Sequence, residues 1–207
     1  MRSDYLELTL LWIAYCAIHS ALISIRATSF FKRFLGIRYC YYRLFFNAFS
    51  IITLIMLIVY SRAPRFEGPL LLIWNGHWRI AQYILMLIAI ALVFSGLRHY
   101  SISQFLGIHQ IRCRRSAVGM TESGDIDATG VLGYIRHPWY LAVFILLWTS
   151  DQNAGSIIIH GILSAYLVIG TLLEERKLIV EFGDKYREYQ EKVSMFIPLN
   201  WLSARLK

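Results

Sequence analysis

The sequence predicts an all-α fold, a polytopic membrane helix bundle of about five transmembrane helices with a cytoplasmic loop and a C-terminal amphipathic helix. Three observations predict it. Only 16% of the 207 residues are charged, where a soluble domain carries roughly a quarter. Four charge-free runs (8–25, 44–61, 80–97 and 152–173) are each long enough to cross a hydrocarbon core of about 30 Å as helix. The 21 Lys and Arg gather in alternate connecting segments, the signature of a fixed membrane orientation.

The elements follow in order. Asp4 and Glu7 precede the first run, which shows no small-x-small cleavage site and is long enough to persist as a membrane helix, so no cleaved signal peptide is expected. The second and third runs complete an N-terminal part, 1–97, of three transmembrane helices. Segment 98–136 contains Gly107, Gly119, Gly124, Gly130 and Gly133 with Glu122, Asp125 and Asp127. It is too long for a simple connector and too rich in glycine for a regular helix, which predicts a loop folded over the cytoplasmic mouth of the bundle. Pro138 suits a first helical turn, where its missing N–H is not needed. The run 138–150 that it opens would reach only about 20 Å at the α-helical rise. It crosses where the membrane is thin or forms the short arm of a hairpin with run 152–173. From Glu174 a terminal helix is expected. Leu178, Phe182, Tyr186, Tyr189 and Val193 recur at helical spacing, and Lys177, Glu181, Asp184, Lys185 and Arg187 occupy the other faces. Phe196, Pro198 and Trp201 then suggest a tail returning to the membrane interface. The whole chain reads as one domain, 98–207 being the part that carries the chemistry.

With the N-terminus outside, segments 26–43, 98–137 and 174–207 become cytoplasmic and hold 17 of the 21 basic residues; only Arg2, Arg62, Arg65 and Arg79 lie outside. This predicts an N-out, C-in integral membrane protein. The net charge of +8 is thus a topology signal. Its spread over loops argues against a nucleic-acid groove. Cys16, Cys40 and Cys113 have no partner spacing and read as reduced thiols. No His, Cys or carboxylate spacing suggests a metal site.

Three clusters carry possible chemistry. In Gly133-Tyr134-Ile135-Arg136-His137-Pro138-Trp139-Tyr140, a loop rests on a helix start, whose N–H groups and dipole favour an anion. The alternative is a plain helix start with a snorkelling Arg136 and an interfacial His137. Glu174-Glu175, directly after a charge-free run, either mark the water boundary or accept hydrogen bonds from a polar ligand. Acids are awkward for the first reading, because a cytoplasmic boundary prefers Lys and Arg. Tyr186 and Tyr189, about one turn apart, either pack the terminal helix or cover a flat base. His19 and Asn47 lie within membrane runs, where polar side chains face a bundle interior or a cavity. They form a helix–helix hydrogen bond or line an acceptor pocket. In the pocket, His19 would serve as general base toward a thiol or hydroxyl.

Arg136-His137-Pro138-x-Tyr140, then Glu174-Glu175-x-x-Leu178, Phe182-Gly183-x-x-Tyr186-x-x-Tyr189 and Val193, together resemble the C-terminal signature of the isoprenylcysteine carboxyl methyltransferase and phospholipid methyltransferase superfamily. The likeness covers roughly 130–198. Trp12, His19-Ser20, Arg43, Asn47 and Phe105-x-Gly107-x-x-Gln110 more loosely resemble its bacterial branch of NnrU-like proteins and methanethiol S-methyltransferases. The resemblance implies an enzyme of the bacterial inner membrane that uses S-adenosylmethionine to methylate a small or lipid-like acceptor. It implies a cofactor pocket of Gly133, Tyr134, Arg136, His137, Tyr140, Glu174 and Glu175, closed by Tyr186 and Tyr189, with His19 and Arg43 on the acceptor side. One departure bears on the acceptor. Prenylcysteine carboxyl methyltransferases tend to carry an arginine just before the paired glutamates, where this chain has Gly170-Thr171-Leu172-Leu173. Burying an acceptor carboxylate without a partner is costly, so a thiol or neutral amphiphile fits better, unless Arg43 or Arg176 substitutes. Membrane reductases of the sterol type, which use NADPH, also resemble the C-terminal signature. A non-enzymatic transporter or assembly subunit is a third reading.

Overall fold

A computed structural model describes residues 2–97, 102–113, 126 and 128–201. Its helices are α1 (Arg2–Ile23), α2 (Ile25–Leu35), α3 (Tyr42–Ser61), α4 (Trp78–Leu97), α5 (Ile102–Leu106), α6 (Ile108–Cys113), α7 (Pro138–Trp148), α8 (Ala154–Phe182) and α9 (Asp184–Lys192). Two short strands, β1 (Leu70–Leu72) and β2 (Gln152–Asn153), pair antiparallel. Among the described residues four helical stretches are long and apolar enough to cross a membrane: Ser3–Ile23, Ile25–Ser61, Trp78–Leu97 and Ala154–Phe182; α7 is a shorter apolar helix. The all-α membrane fold class is therefore observed, and the chain is an integral membrane protein.

The chain divides into two compact units, neither of them continuous in sequence. The first comprises Met1–Leu72, Ile102–Met120 and Gln152–Leu163; the second comprises Ile73–Ser101, Thr121–Asp151 and Ser164–Lys207. In the first, Leu8 and Trp12 of α1 and Phe66 form a buried cluster against Leu54, Leu57 and Ile159. Lipid tails are as apolar as these side chains, so burial alone drives little association, and close packing with interhelical hydrogen bonds carries more of it. Trp12 Nε1 donates to Ser61 Oγ at 3.0 Å, and Tyr42 O–H donates to the Leu22 carbonyl at 2.8 Å. The second bond pins the start of α3 to the end of α1.

In the second unit α4 packs along α7. Gly96 permits this approach, since a Cβ there would lie 2.2 Å from Trp139 Nε1. The Trp139 indole donates to the Val93 carbonyl at 3.1 Å. At the opposite end of the pair, Gln82 Nε2 donates to the Thr149 carbonyl at 2.6 Å, and the Trp74 amide donates to Asp151 at 2.9 Å.

Helix boundaries differ from the sequence expectation in two places. The terminal helix does not begin at Glu174: α8 runs unbroken through Glu174–Lys177 to Phe182. Helical hydrogen bonding is indifferent to where hydrocarbon ends, and the break comes at Gly183, whose φ of +59° glycine adopts without strain. Segment 26–43, expected as a connection, contains α2, capped by Ser24 through a 3.2 Å bond from the Ala27 amide. The loop expected to cover the bundle falls largely at 98–101, 114–125 and 127, outside the described residues.

Candidate active site

Pro138 occupies the first turn of α7, as its missing donor predicts, and His137 is the residue that caps it. Residues 135–137 lead directly into the helix. They pair with the tail beyond α9: the Arg136 amide donates to the Ser194 carbonyl at 3.0 Å and the His137 amide to the Met195 carbonyl at 3.2 Å. The turn at Gly183 sends α9 back along α8, and three segments distant in sequence meet.

Glu175 is their meeting point. Its Oε1 accepts from Arg136 Nε at 2.7 Å and lies 3.0 Å from His137 Nε2; its Oε2 accepts from Gln190 Nε2 at 2.8 Å. Glu175 and His137 are each only 5% exposed, so these bonds act in a low-dielectric setting where charge-assisted pairs are strong and broken pairs costly. Arg136 also donates through Nη1 to the carbonyls of Gln190, at 3.0 Å, and Val193. One guanidinium thus ties α8, α9 and the tail together, a task suited to its planar fork of donors.

Beside this clamp the Tyr140 hydroxyl donates to Glu174 Oε2 at 2.6 Å. The two glutamates differ in kind. Both Glu175 oxygens are engaged by the protein, whereas Glu174 is half-buried and has Tyr140 as its hydrogen-bond partner among the described residues. The His137 and Tyr140 rings meet edge to face at 5.6 Å. Gly133 is held by packing, because a Cβ there would come within 2.9 Å of the Ala128 carbonyl oxygen. Tyr134 is 46% exposed, with its ring against Trp201.

Tyr186 and Tyr189 are buried with Val193, packed by Leu178, Ile179 and Phe182. Tyr189 O–H donates to the Leu132 carbonyl at 2.6 Å. Burial, followed by the nearby Glu175 carboxylate, pushes the Tyr186 phenol well up, so it stays a neutral hydroxyl. The stripe read from the sequence packs the end of the second unit and fastens it to 130–133.

His19 and Arg43 belong to the first unit. His19 is half-buried between the rings of Tyr15 and Phe46, at 6.0 and 4.9 Å. Arg43 Nε and Asn47 Nδ2 both donate to the Phe105 carbonyl, at 3.2 and 2.8 Å. Gly107, with φ of +90°, brings the chain so close that a Cβ would sit 2.9 Å from the Leu44 amide nitrogen.

A family model described as NnrU protein matches residues 7–204. The chain belongs to the NnrU family. Among characterised relatives of this NnrU-family protein, methanethiol S-methyltransferase 1 of Bradyrhizobium diazoefficiens is 31% identical over 144 residues, 62% of this chain and 50% of that protein. Methanethiol S-methyltransferase of Mycobacterium tuberculosis is 27% identical over 121 residues, 58% of this chain and 49% of that one. That of Pseudomonas deceptionensis is 38% identical over 65 residues, 31% of this chain and 25% of its own. The chain spans about half the length of the first of these. No solved structure matches it.

Sequence reasoning did not find Gln190. A lone glutamine on a helix otherwise rich in charge carries no periodic or motif signal. Its role appears only once Gly183 has turned α9 back onto α8. The carbonyls of Gln190, Val193, Ser194 and Met195 are backbone atoms and leave no trace in residue type.

Proposed function

We propose that this NnrU-family protein is a membrane methyltransferase that uses S-adenosylmethionine and methylates a small thiol or lipid-like acceptor by in-line displacement. The observation that carries the reading is the contrast between the two glutamates. Glu175 is locked by three protein donors, while Glu174 beside it, among the described residues, takes a hydrogen bond from Tyr140 alone and has bonding capacity left over. The donor set fits the cofactor: Glu174 offers acceptance to its amino group or ribose hydroxyls, and the start of α7 near His137 suits its carboxylate. When bound, S-adenosylmethionine supplies an electrophilic methyl group on a cationic sulfur.

The chain's residues then have separate tasks. Arg136, Glu175 and Gln190 hold α8, α9 and the tail in register, so that Tyr140 and Glu174 keep their positions. Alignment of this kind is worth several kcal/mol of barrier, on the order of 7–11 where the reacting atoms are held in line. Aromatic faces such as Tyr140 stabilise a cation by about 0.5–2 kcal/mol each. His19 is proposed to take the acceptor proton as general base, with Arg43 on the acceptor side. A thiol acceptor is favoured by the names of the relatives and by Gly170–Leu173, which supply no cation for an acceptor carboxylate. The N-out, C-in orientation in a bacterial inner membrane follows from the basic segments and would open the pocket to the cytosol.

The test is a transfer assay on the full chain in proteoliposomes, with methyl-labelled S-adenosylmethionine and methanethiol, reading labelled dimethyl sulfide in the headspace and labelled lipid in the extract. Transfer to either pool is the expected result. No transfer to either, with NADPH consumed in its place, would overturn the reading in favour of a reductase.

A further inference from the structure

The first unit carries a second feature that the active-site reading does not use. Helix α2 lies between α1, ending at Ile23, and α3, beginning at Tyr42. The 20 residues of α3 suffice to cross a bilayer by themselves, so α2, between α1 and α3, is free to lie at one membrane surface whichever way the protein is oriented. Its sequence is sharply two-sided. Phe30, Phe31, Phe34 and Leu35 share one face, and Arg26, Ser29, Lys32 and Arg33 share the other. That is the composition of a helix lying in the interfacial plane.

The apolar face is not simply greasy surface. Gly36, at φ +51°, ends α2 and turns the chain through 36–41 into α3. Phe31 stacks on Tyr42 at 4.9 Å between ring centroids, and Tyr42 is anchored to α1 by its hydroxyl. Between these fixed parts is a groove of about 410 Å³, lined by Phe31, Phe34, Leu35, Tyr42 and Phe45, with Arg38 as its charged member. Phe34 and Phe45 are 77% and 61% exposed, so the groove is open to the bilayer. An open apolar groove whose lining includes the stem of one arginine matches an acyl chain, with the arginine's charge available to a phosphate.

We infer that this groove is a binding site for an anionic phospholipid of the surrounding bilayer, with the acyl chain along the aromatic wall and the headgroup phosphate on Arg38. Arg26, Lys32 and Arg33 add the positive field that attracts acidic lipid to such a helix. A second copy of the chain is the poorer occupant, since pairing the faces would bring two basic clusters together. The inference does not depend on the methyltransferase reading.

The experiment uses the full chain in vesicles of equal parts phosphatidylcholine and phosphatidylglycerol, with trace phospholipid probes carrying a photoactivatable group on the acyl chain. Labelled peptides are then mapped. Peptides covering 30–45 should be labelled preferentially by the phosphatidylglycerol probe, and Arg38→Gln should reduce that preference roughly fivefold, the effect of one basic residue near a membrane surface. Arg38→Lys should retain most of it and shows that the position itself tolerates change. Equal labelling by both probes in the parent protein would overturn the inference. So would labelling spread evenly along α1 and α3, or a groove that excludes both probes while cross-linking to a second copy.

Discussion

Arg136 makes more contacts with other elements than its place in a short motif suggests. It bonds Glu175 on α8 and the carbonyls of Gln190 and Val193 at and beyond the end of α9. Lysine keeps the charge but not the planar fork, so Arg136→Lys should satisfy at most part of this set. Its unfolding midpoint in detergent is expected to fall even though the net charge is unchanged. Glu175→Gln should cost more, on the order of 3 kcal/mol, because a buried guanidinium loses its counter-charge. Thermal unfolding followed by circular dichroism measures both; an unchanged midpoint for Glu175→Gln would show that the clamp carries no stability. The motif residues were legible in the sequence because a charged pair beside hydrocarbon is expensive enough to stand out. Which glutamate is locked and which has capacity left was not legible, since that depends on backbone carbonyls and on Gln190.

Helix α8 and the turn after it set where these residues stand. No atom lies within 4 Å of a Cβ placed on Gly183, so only the backbone conformation resists substitution there. Gly183→Ala should therefore cost about 1 kcal/mol or more through strain at φ +59° and ψ −132°, and Gly183→Asn should cost as much, because that ψ lies outside the left-handed helical region that Asn tolerates. Gly96 makes the opposite case: its φ is not in the left-handed range, and the obstacle is the Trp139 indole. Gly96→Ala should displace that ring, break its bond to Val93 and destabilise by about 1–3 kcal/mol. Gly161→Ala, with nothing within 4 Å, should be tolerated. Comparing melting temperatures of the three alanine variants in one detergent checks the ordering. Run length and Pro138 made most helix positions readable. The break at Gly183 was harder to see, because the apolar stripe from Leu178 to Val193 continues across it and still forms one cluster.

At the scale of the whole molecule, charge asymmetry and four long apolar stretches give a membrane protein, and the family match extends over nearly all of the chain. The polar residues of the C-terminal signature converge within the second unit. The central claim is that this convergence binds S-adenosylmethionine through Glu174. Equilibrium titration of the purified full chain with S-adenosylhomocysteine tests it most directly. Saturable binding that NADPH does not compete is predicted, weakened roughly tenfold to a hundredfold in Glu174→Gln, as loss of a hydrogen bond to a charged group implies. A folded protein that binds no S-adenosylhomocysteine, or binds it equally well without the Glu174 carboxylate, would contradict the account.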